Sequence, residues 1–157
     1  MRKWLLILLV SIACQVYAAP EPPYFASLKA SRINLRTGPG ERFPIQWVYS
    51  QPMLPVEVVD VHDVWLKIKE HDETQGWVHK SMLTARRTAL TPADQTISVY
   101  KKKSLASPVV AILKGAFIVR ILSCPKAENF CLIQVEGIKG WVQRKSLWGV
   151  YPNEEVK

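Results

Sequence analysis

Three histidines, two late cysteines and a scatter of carboxylates are the side chains of this 157-residue chain whose chemistry reaches beyond packing. His62, His71 and His79 all fall in its first half, and His62 and His71 stand at expected hairpin tips. Asp60, Asp63, Glu70, Asp72 and Glu73 crowd the same region, but a polar turn accounts for them and no pair has evident spacing for acid–base work. A cysteine nucleophile needs a free thiol beside a base. Cys124 and Cys131 are the cysteines that remain once Cys14 departs with an N-terminal leader, and in an exported chain such a pair reads as one disulfide. A ring this small stabilises by roughly 2–3 kcal/mol. Two thiols without a neighbouring His or Asp do not complete a tetrahedral metal site. The reading is therefore of a protein that is not an enzyme, with no catalytic residue, no metal and no cofactor.

Binding chemistry is the better prospect. One small core cannot hide every aromatic, and Trp47, Tyr49 and Trp65 are the ones left over. In Ile45-Gln46-Trp47-Val48-Tyr49 the two aromatics share a face and Val48 takes the other, where alternation makes Val48 the expected core residue. An exposed aromatic patch there would suit sugar rings or an extended peptide, with Arg36 and Asn34 within reach. Packing of that face against a second domain is an equal alternative. For Arg36 a solvated strand face, and for Asn34 a bond to nearby backbone, are the plainer readings. Trp77 and Trp141 are assigned instead to the core, as the large aromatic a small barrel needs to fill it.

The N-terminus sets the compartment. Arg2 and Lys3 precede an apolar run from Trp4 to Ala13, and Val16-Tyr17-Ala18 closes it: the pattern of a cleaved secretory signal over residues 1–18. The run is short of the about 20 apolar residues that span a bilayer. No later run approaches that length, so no transmembrane segment is expected in the mature chain. A lipid anchor through Cys14 is the weaker alternative, since Ser11 stands where such signals carry Leu. The whole chain carries a formal charge of +8. Loss of Arg2 and Lys3 leaves 19 basic residues against 13 acidic, a net +6 that favours an anionic neighbour or simply solubility. Nucleic acid is not expected as a partner, because no basic stripe interleaves with aromatics along one element.

The elements that must position these residues come in two series. Gly76-Trp77-Val78 recurs as Gly140-Trp141-Val142, and a basic residue, Ser and an apolar residue follow each copy. An interval of 64 suggests two copies of one small domain, at residues 24–86 and 87–153. In the first, strands are expected over 25–30, 33–36, 45–49, 56–61, 64–69 and 76–79, with a single 3₁₀ turn after the last. The second repeats the series at 96–100, 109–113, 117–122, 130–135 and 140–143. Thr37-Gly38-Pro39-Gly40 reads as a tight loop where a side chain would obstruct the backbone, and Lys101-Lys102-Lys103 takes the place of its first three residues in the second copy. No segment of ten residues has a 3.6-residue apolar period, so helix content should be low.

Asn34-Leu35-Arg36-Thr37-Gly38-Pro39-Gly40, then Trp65, then Gly76-Trp77-Val78, resemble the bacterial SH3-like domain. Leu54–Val59, Arg86–Leu90, Leu147–Pro152 and the Cys124/Cys131 pair extend the likeness to the exported tandem proteins of this kind in Gram-negative bacteria. The resemblance implies an all-β fold of two small SH3-like β-barrels in tandem after a cleaved signal peptide, in the periplasm. It implies a non-catalytic envelope module whose partner is peptidoglycan, a wall-associated peptide or, in an adaptor role, a periplasmic protein. The second copy departs from the pattern at its lysines and at Phe130, which stands in for the usual Trp, so the ligand-binding expectation rests on Asn34, Arg36, Trp47, Tyr49 and Trp65. The apolar tail Leu147–Pro152 is expected to fold back between the two copies.

Overall fold

A computed structural model describes residues 20–157. The expected leader and Cys14 lie outside the described residues. Short runs of β-branched and aromatic residues, broken by turn residues, become thirteen strands and two 3₁₀ turns, with no α-helix among the described residues. The first sheet holds β1 (Tyr24–Leu28), β2 (Ile33–Arg36), β3 (Ile45–Tyr49), β4 (Pro55–His62), β5 (Trp65–Lys69), β6 (Gln75–His79) and β7 (Leu83–Thr84), in spatial order β3-β2-β6-β5-β4-β1-β7. The second holds β8 (Thr88–Leu90), β9 (Thr96–Tyr100), β10 (Val109–Lys114), β11 (Ile118–Ser123), β12 (Phe130–Val135) and β13 (Ile138–Gln143), in order β10-β9-β13-β12-β11-β8. Every assigned ladder is antiparallel, and the 3₁₀ turns Lys80–Met82 and Arg144–Ser146 follow β6 and β13.

The sequence repeat is a repeat of register. Arg36 pairs with Trp77 in the first sheet and Tyr100 pairs with Trp141 in the second, each member displaced by 64. Gly76 and Gly140 are there for close approach. A Cβ on Gly76 would stand 2.5 Å from Leu35 Cγ and 3.0 Å from the Arg36 carbonyl oxygen; on Gly140 it would stand 2.5 Å from Val99 Cγ1 and 2.8 Å from the Tyr100 carbonyl oxygen. Only glycine lets the two strands cross at that separation.

That geometry also corrects the assignment of Trp77 and Trp141 to the core. Successive strand residues face opposite ways, and it is Gly76 and Val78, Gly140 and Val142, that face inward. Val78 and Val142 are fully buried, and both tryptophans lie half-buried on the outer surface. The interiors are aliphatic instead: Leu28, Ile33, Leu35, Val56, Val58 and Ile68 around Val78, and Val99, Val119 and Ile133 around Val142.

The two sheets meet along a polar and aromatic seam. The hydroxyls of Ser27 and Thr88 are 2.6 Å apart and buried, and Thr88 Oγ1 donates onward to the Met53 carbonyl. The tail does fold back here. Trp148 meets Phe25 edge-on at 5.2 Å, Tyr151 tilts against Phe25 at 4.7 Å, and the Tyr151 hydroxyl donates to Glu57 at 2.6 Å. Beyond residue 153, where the second copy was expected to end, the chain runs on to Val156. That residue is buried, and its amide and carbonyl bond the backbone of Cys124. Cys124 and Cys131 form the disulfide, joining the residue after β11 to β12 as the series predicts for the third and fourth strands of the repeat.

Candidate functional site

Strand β3 ends the first sheet, and its register on β2 decides the fate of its aromatics. Tyr49 pairs with Ile33 and Trp47 with Leu35, both core residues, so the aromatic face is the inward one. Tyr49 is accordingly buried, and Val48, opposite Asn34 on the outer face, is exposed. The expectations for Tyr49 and Val48 are thereby reversed, while Trp47 is exposed as expected. The alternation in the sequence was sound, but which face is covered depends on the neighbouring strand.

Tyr49 keeps one polar tie, its hydroxyl donating to Glu70 Oε1 at 2.5 Å, and burial with Glu70's charge pushes its ionisation well above the ordinary tyrosine range. It is a core residue with an anchored tip and is closed to a ligand. Trp47, two residues back along the edge strand, extends past the rim of the core and is 60% exposed. With Gln46, Glu70, Asp72 and Thr74 it lines a cleft of about 370 Å³ between β3 and the β5–β6 turn. Asp72 accepts from the Thr74 amide at 3.0 Å, which holds its carboxyl below the usual range. In the sequence Glu70 and Asp72 read as the polar tip of a hairpin. Nothing local shows that the tip leans over an edge strand 25 residues earlier.

The other expected residues are elsewhere. Arg36 is a brace: its Nη1 donates to the carbonyls of Glu41 (3.0 Å) and Phe43 (2.8 Å), tying down the loop between β2 and β3. Asn34 is half-buried on the outer face. Trp65 pairs with His79 and His62, next to the Arg36–Trp77–Lys67 row, and so lies on the face opposite Trp47. There it meets His79 edge-on at 5.6 Å, while His62 approaches Trp77 at 6.5 Å. The five expected ligand residues therefore do not converge. The structure leaves Trp47 at a cleft and Trp65 on a separate outer surface.

Gly38 has a different purpose from the one expected, and a Cβ on Gly40 would make only ordinary contacts. Neither has a positive φ. A Cβ on Gly38 would come within 2.4 Å of the Phe43 ring, so it is a side chain, not the backbone, that demands glycine. The second sheet forms the same loop without glycine. Thr37 and Lys101 donate to the carbonyls of Pro44 and Pro108, and the Gly40-to-Gly38 and Phe43-to-Gly40 bonds recur as Ser104-to-Lys102 and Ser107-to-Ser104.

Among the described residues no group of three or more His, Cys, Asp or Glu is placed to hold a metal ion, and no helix is long and apolar enough to cross a membrane.

Two sheets of short antiparallel strands, with a Trp-walled edge cleft and no α-helix among the described residues, define a small all-β protein whose strand arrangement is consistent with SH3-like domains. Residues 29–84, which hold β2 to β7 of the first sheet, match the family model for the bacterial SH3 domain. No curated protein matches the chain. Among solved structures it is similar to NlpC2 from Trichomonas vaginalis, at 12% identity and a TM-score of 0.37, over 83% of this chain and 49% of that one. NlpC1 from the same organism is 13% identical at a TM-score of 0.38, over 91% of this chain and 50% of its own. The chain spans about half the length of both.

Proposed function

We propose that the protein is a non-catalytic binding module of the cell envelope that engages peptidoglycan or a wall-associated peptide through the Trp47 cleft. The carrying observation is Trp47 itself: a large ring, 60% exposed, at the wall of a cleft whose remaining lining is polar. An aromatic face beside hydrogen-bonding groups suits a sugar ring or an extended peptide backbone. A bacterial SH3 domain points in the same direction, as a binding module. The disulfide fits an oxidising compartment such as the periplasm.

Sedimentation with purified peptidoglycan sacculi tests the reading. The oxidised protein is expected to pellet, Trp47→Ala to stay in the supernatant, and Trp141→Ala, on the second sheet, to pellet as before. If the unaltered protein stays in solution, the wall-polymer reading fails. If Trp47→Ala pellets equally well, the cleft is the wrong site.

A further inference from the structure

The far edge of the second sheet has no part in that reading. Strand β10 pairs only with β9, so the other side of its backbone has no partner among the described residues. Its side chains are apolar and open to solvent: Ile112 is 58% exposed, Val109 and Val110 are exposed with it, and Leu105 in the preceding loop is 60% exposed. Folded proteins ordinarily guard such an edge with charge, proline or a bulge. Here Pro108 and a register shift between Val109 and Ala111 guard only the beginning of the strand. The stretch from Val110 to Lys114 is left as an open template, long enough for about five residues of a partner strand.

Lysines mark both ends of this template. Lys101, Lys102 and Lys103 form the loop packed beside the start of β10, the Lys101 amide donating to the Pro108 carbonyl at 2.9 Å, and Lys114 ends the strand. All four are exposed, and among the ion pairs only Lys103 has a carboxylate, Glu128 at 2.8 Å. This pattern selects between occupants. A second copy pairing antiparallel through its own β10 would bring Lys114 of one molecule towards Lys101 and Lys102 of the other, which like charge opposes. The corresponding edge of the first sheet, β3, is also open, but it is bordered by the glycine loop and by the acidic Glu70–Thr74 turn. The two edges thus present opposite charge to an incoming strand.

We propose that the open edge of β10 is a strand-addition site for an extended segment of a partner protein, β-branched in its middle and acidic at both ends. Backbone bonding to β10 supplies the attachment, Ile112 and Val110 contact the apolar middle, and Lys101, Lys102 and Lys114 select the acidic flanks. The site is separate from the Trp47 cleft and stands or falls independently of it.

The test uses the full oxidised protein, isotopically labelled, with a synthetic Asp-Glu-Val-Thr-Val-Glu-Asp peptide blocked at both ends. Backbone amide shifts and slowed hydrogen exchange are expected along β10 on titration. A peptide with lysine in place of each acid, and one with proline in place of each valine, should not produce them. Ile112→Lys should abolish binding. Lys101→Glu with Lys102→Glu should weaken it roughly tenfold, as loss of two exposed ion pairs implies. Both variants change exposed side chains, and an unaltered melting curve confirms that they fold. The proposal is overturned if the acidic peptide leaves β10 unperturbed at millimolar concentration, or if the lysine peptide binds equally well. It is also overturned if β10 amides become protected with rising protein concentration alone, which would make a second copy the occupant.

Discussion

The two sheets are the same strand series built twice, and they differ most where residues at equivalent positions have exchanged duties. In the first, Arg36 braces the loop after β2 through the carbonyls of Glu41 and Phe43, and Gly38 stands back to admit the Phe43 ring. In the second, Tyr100 takes the place of Arg36 and cannot reach in that way. Two serines hold the loop instead, Ser107 Oγ accepting from the Lys102 amide and Ser104 Oγ from the Ala106 amide. Ser107 where the first sheet has Phe43 leaves room for a side chain at Lys102 where the first has Gly38. The loop is one backbone conformation reached through two packing solutions. The second solution frees the Gly38 position for Lys102.

A larger exchange follows the last strand. Lys80, just after β6, is exposed. Its counterpart 64 residues on, Arg144, is only 6% exposed and donates to four carbonyls: Glu128 (3.0 Å), Tyr151 (3.0 Å), Glu154 (2.7 Å) and Pro125 (2.6 Å). A planar guanidinium with five fixed donors can join that many acceptors at once, and an ammonium on a flexible stem cannot. Arg144 thereby ties the loop of the disulfide to the tail that crosses to the first sheet. Charge-assisted bonds are worth more than neutral ones, and orphaned buried carbonyls add their own cost. Arg144→Met should therefore destabilise by about 3 kcal/mol or more in urea unfolding, whereas Lys80→Met should stay within about 0.5 kcal/mol. Equal effects at the two positions would show that the buried clamp contributes nothing beyond an ordinary surface residue.

The loop exchange predicts a smaller, coupled effect. Gly38→Lys alone drives a Cβ into the Phe43 ring and should cost about 2 kcal/mol, the range for overpacking. Phe43→Ser alone loses the ring's partial burial. The two together reproduce the arrangement of the second sheet and should be less destabilising than the sum by about 1 kcal/mol, as expected for residues in contact. A double-mutant cycle by chemical denaturation measures this, and strict additivity would refute the exchange.

What was readable from the sequence follows the same division. Alternation and turn residues locate the strands because those signals are local. Asn34 to Gly40 and Gly76 to Val78, all within the matched residues 29–84, point to the domain type for the same reason. Facing is another matter. Tyr49 and Val48 were assigned to the wrong sides because β3 is an edge strand, and its covered face is dictated by Ile33 and Leu35 across the ladder. Trp77 was mistaken for core because a large ring suggests filling, while the strand crossing needs Gly76 and Val78 inside. The cleft at Trp47 needs the turn at Glu70–Thr74, and the role of Glu57 needs Tyr151, 94 residues further on. None of these leaves a periodic trace.

The seam between the sheets gives the smallest effect. Glu57 is bonded by Lys69 (2.9 Å) and by the Tyr151 hydroxyl, and Glu154 forms a two-pronged pair with Arg87 and accepts from the Tyr151 amide at 3.0 Å. Burial opposes the charge on each carboxylate, but those bonds outweigh it, and both ionise below the usual carboxylate range. A depressed folded value means that the contribution is complete above the unfolded value, near 4.5, and fades as pH falls through the folded one. Acid should therefore weaken the seam before it affects the interiors, whose buried side chains include no carboxylate. Tyr151→Phe removes one bond to Glu57 and, at pH 5.5, should lower stability by about 1 kcal/mol. At pH 3, below the unfolded value near 4.5, that contribution has begun to fade and the gap should narrow. Melting curves of the two proteins at both pH values decide the matter. A gap that is as wide at pH 3 as at pH 5.5 would mean that the hydroxyl supports the seam by packing alone, and that the ionised state of Glu57 is not what joins the tail to the first sheet.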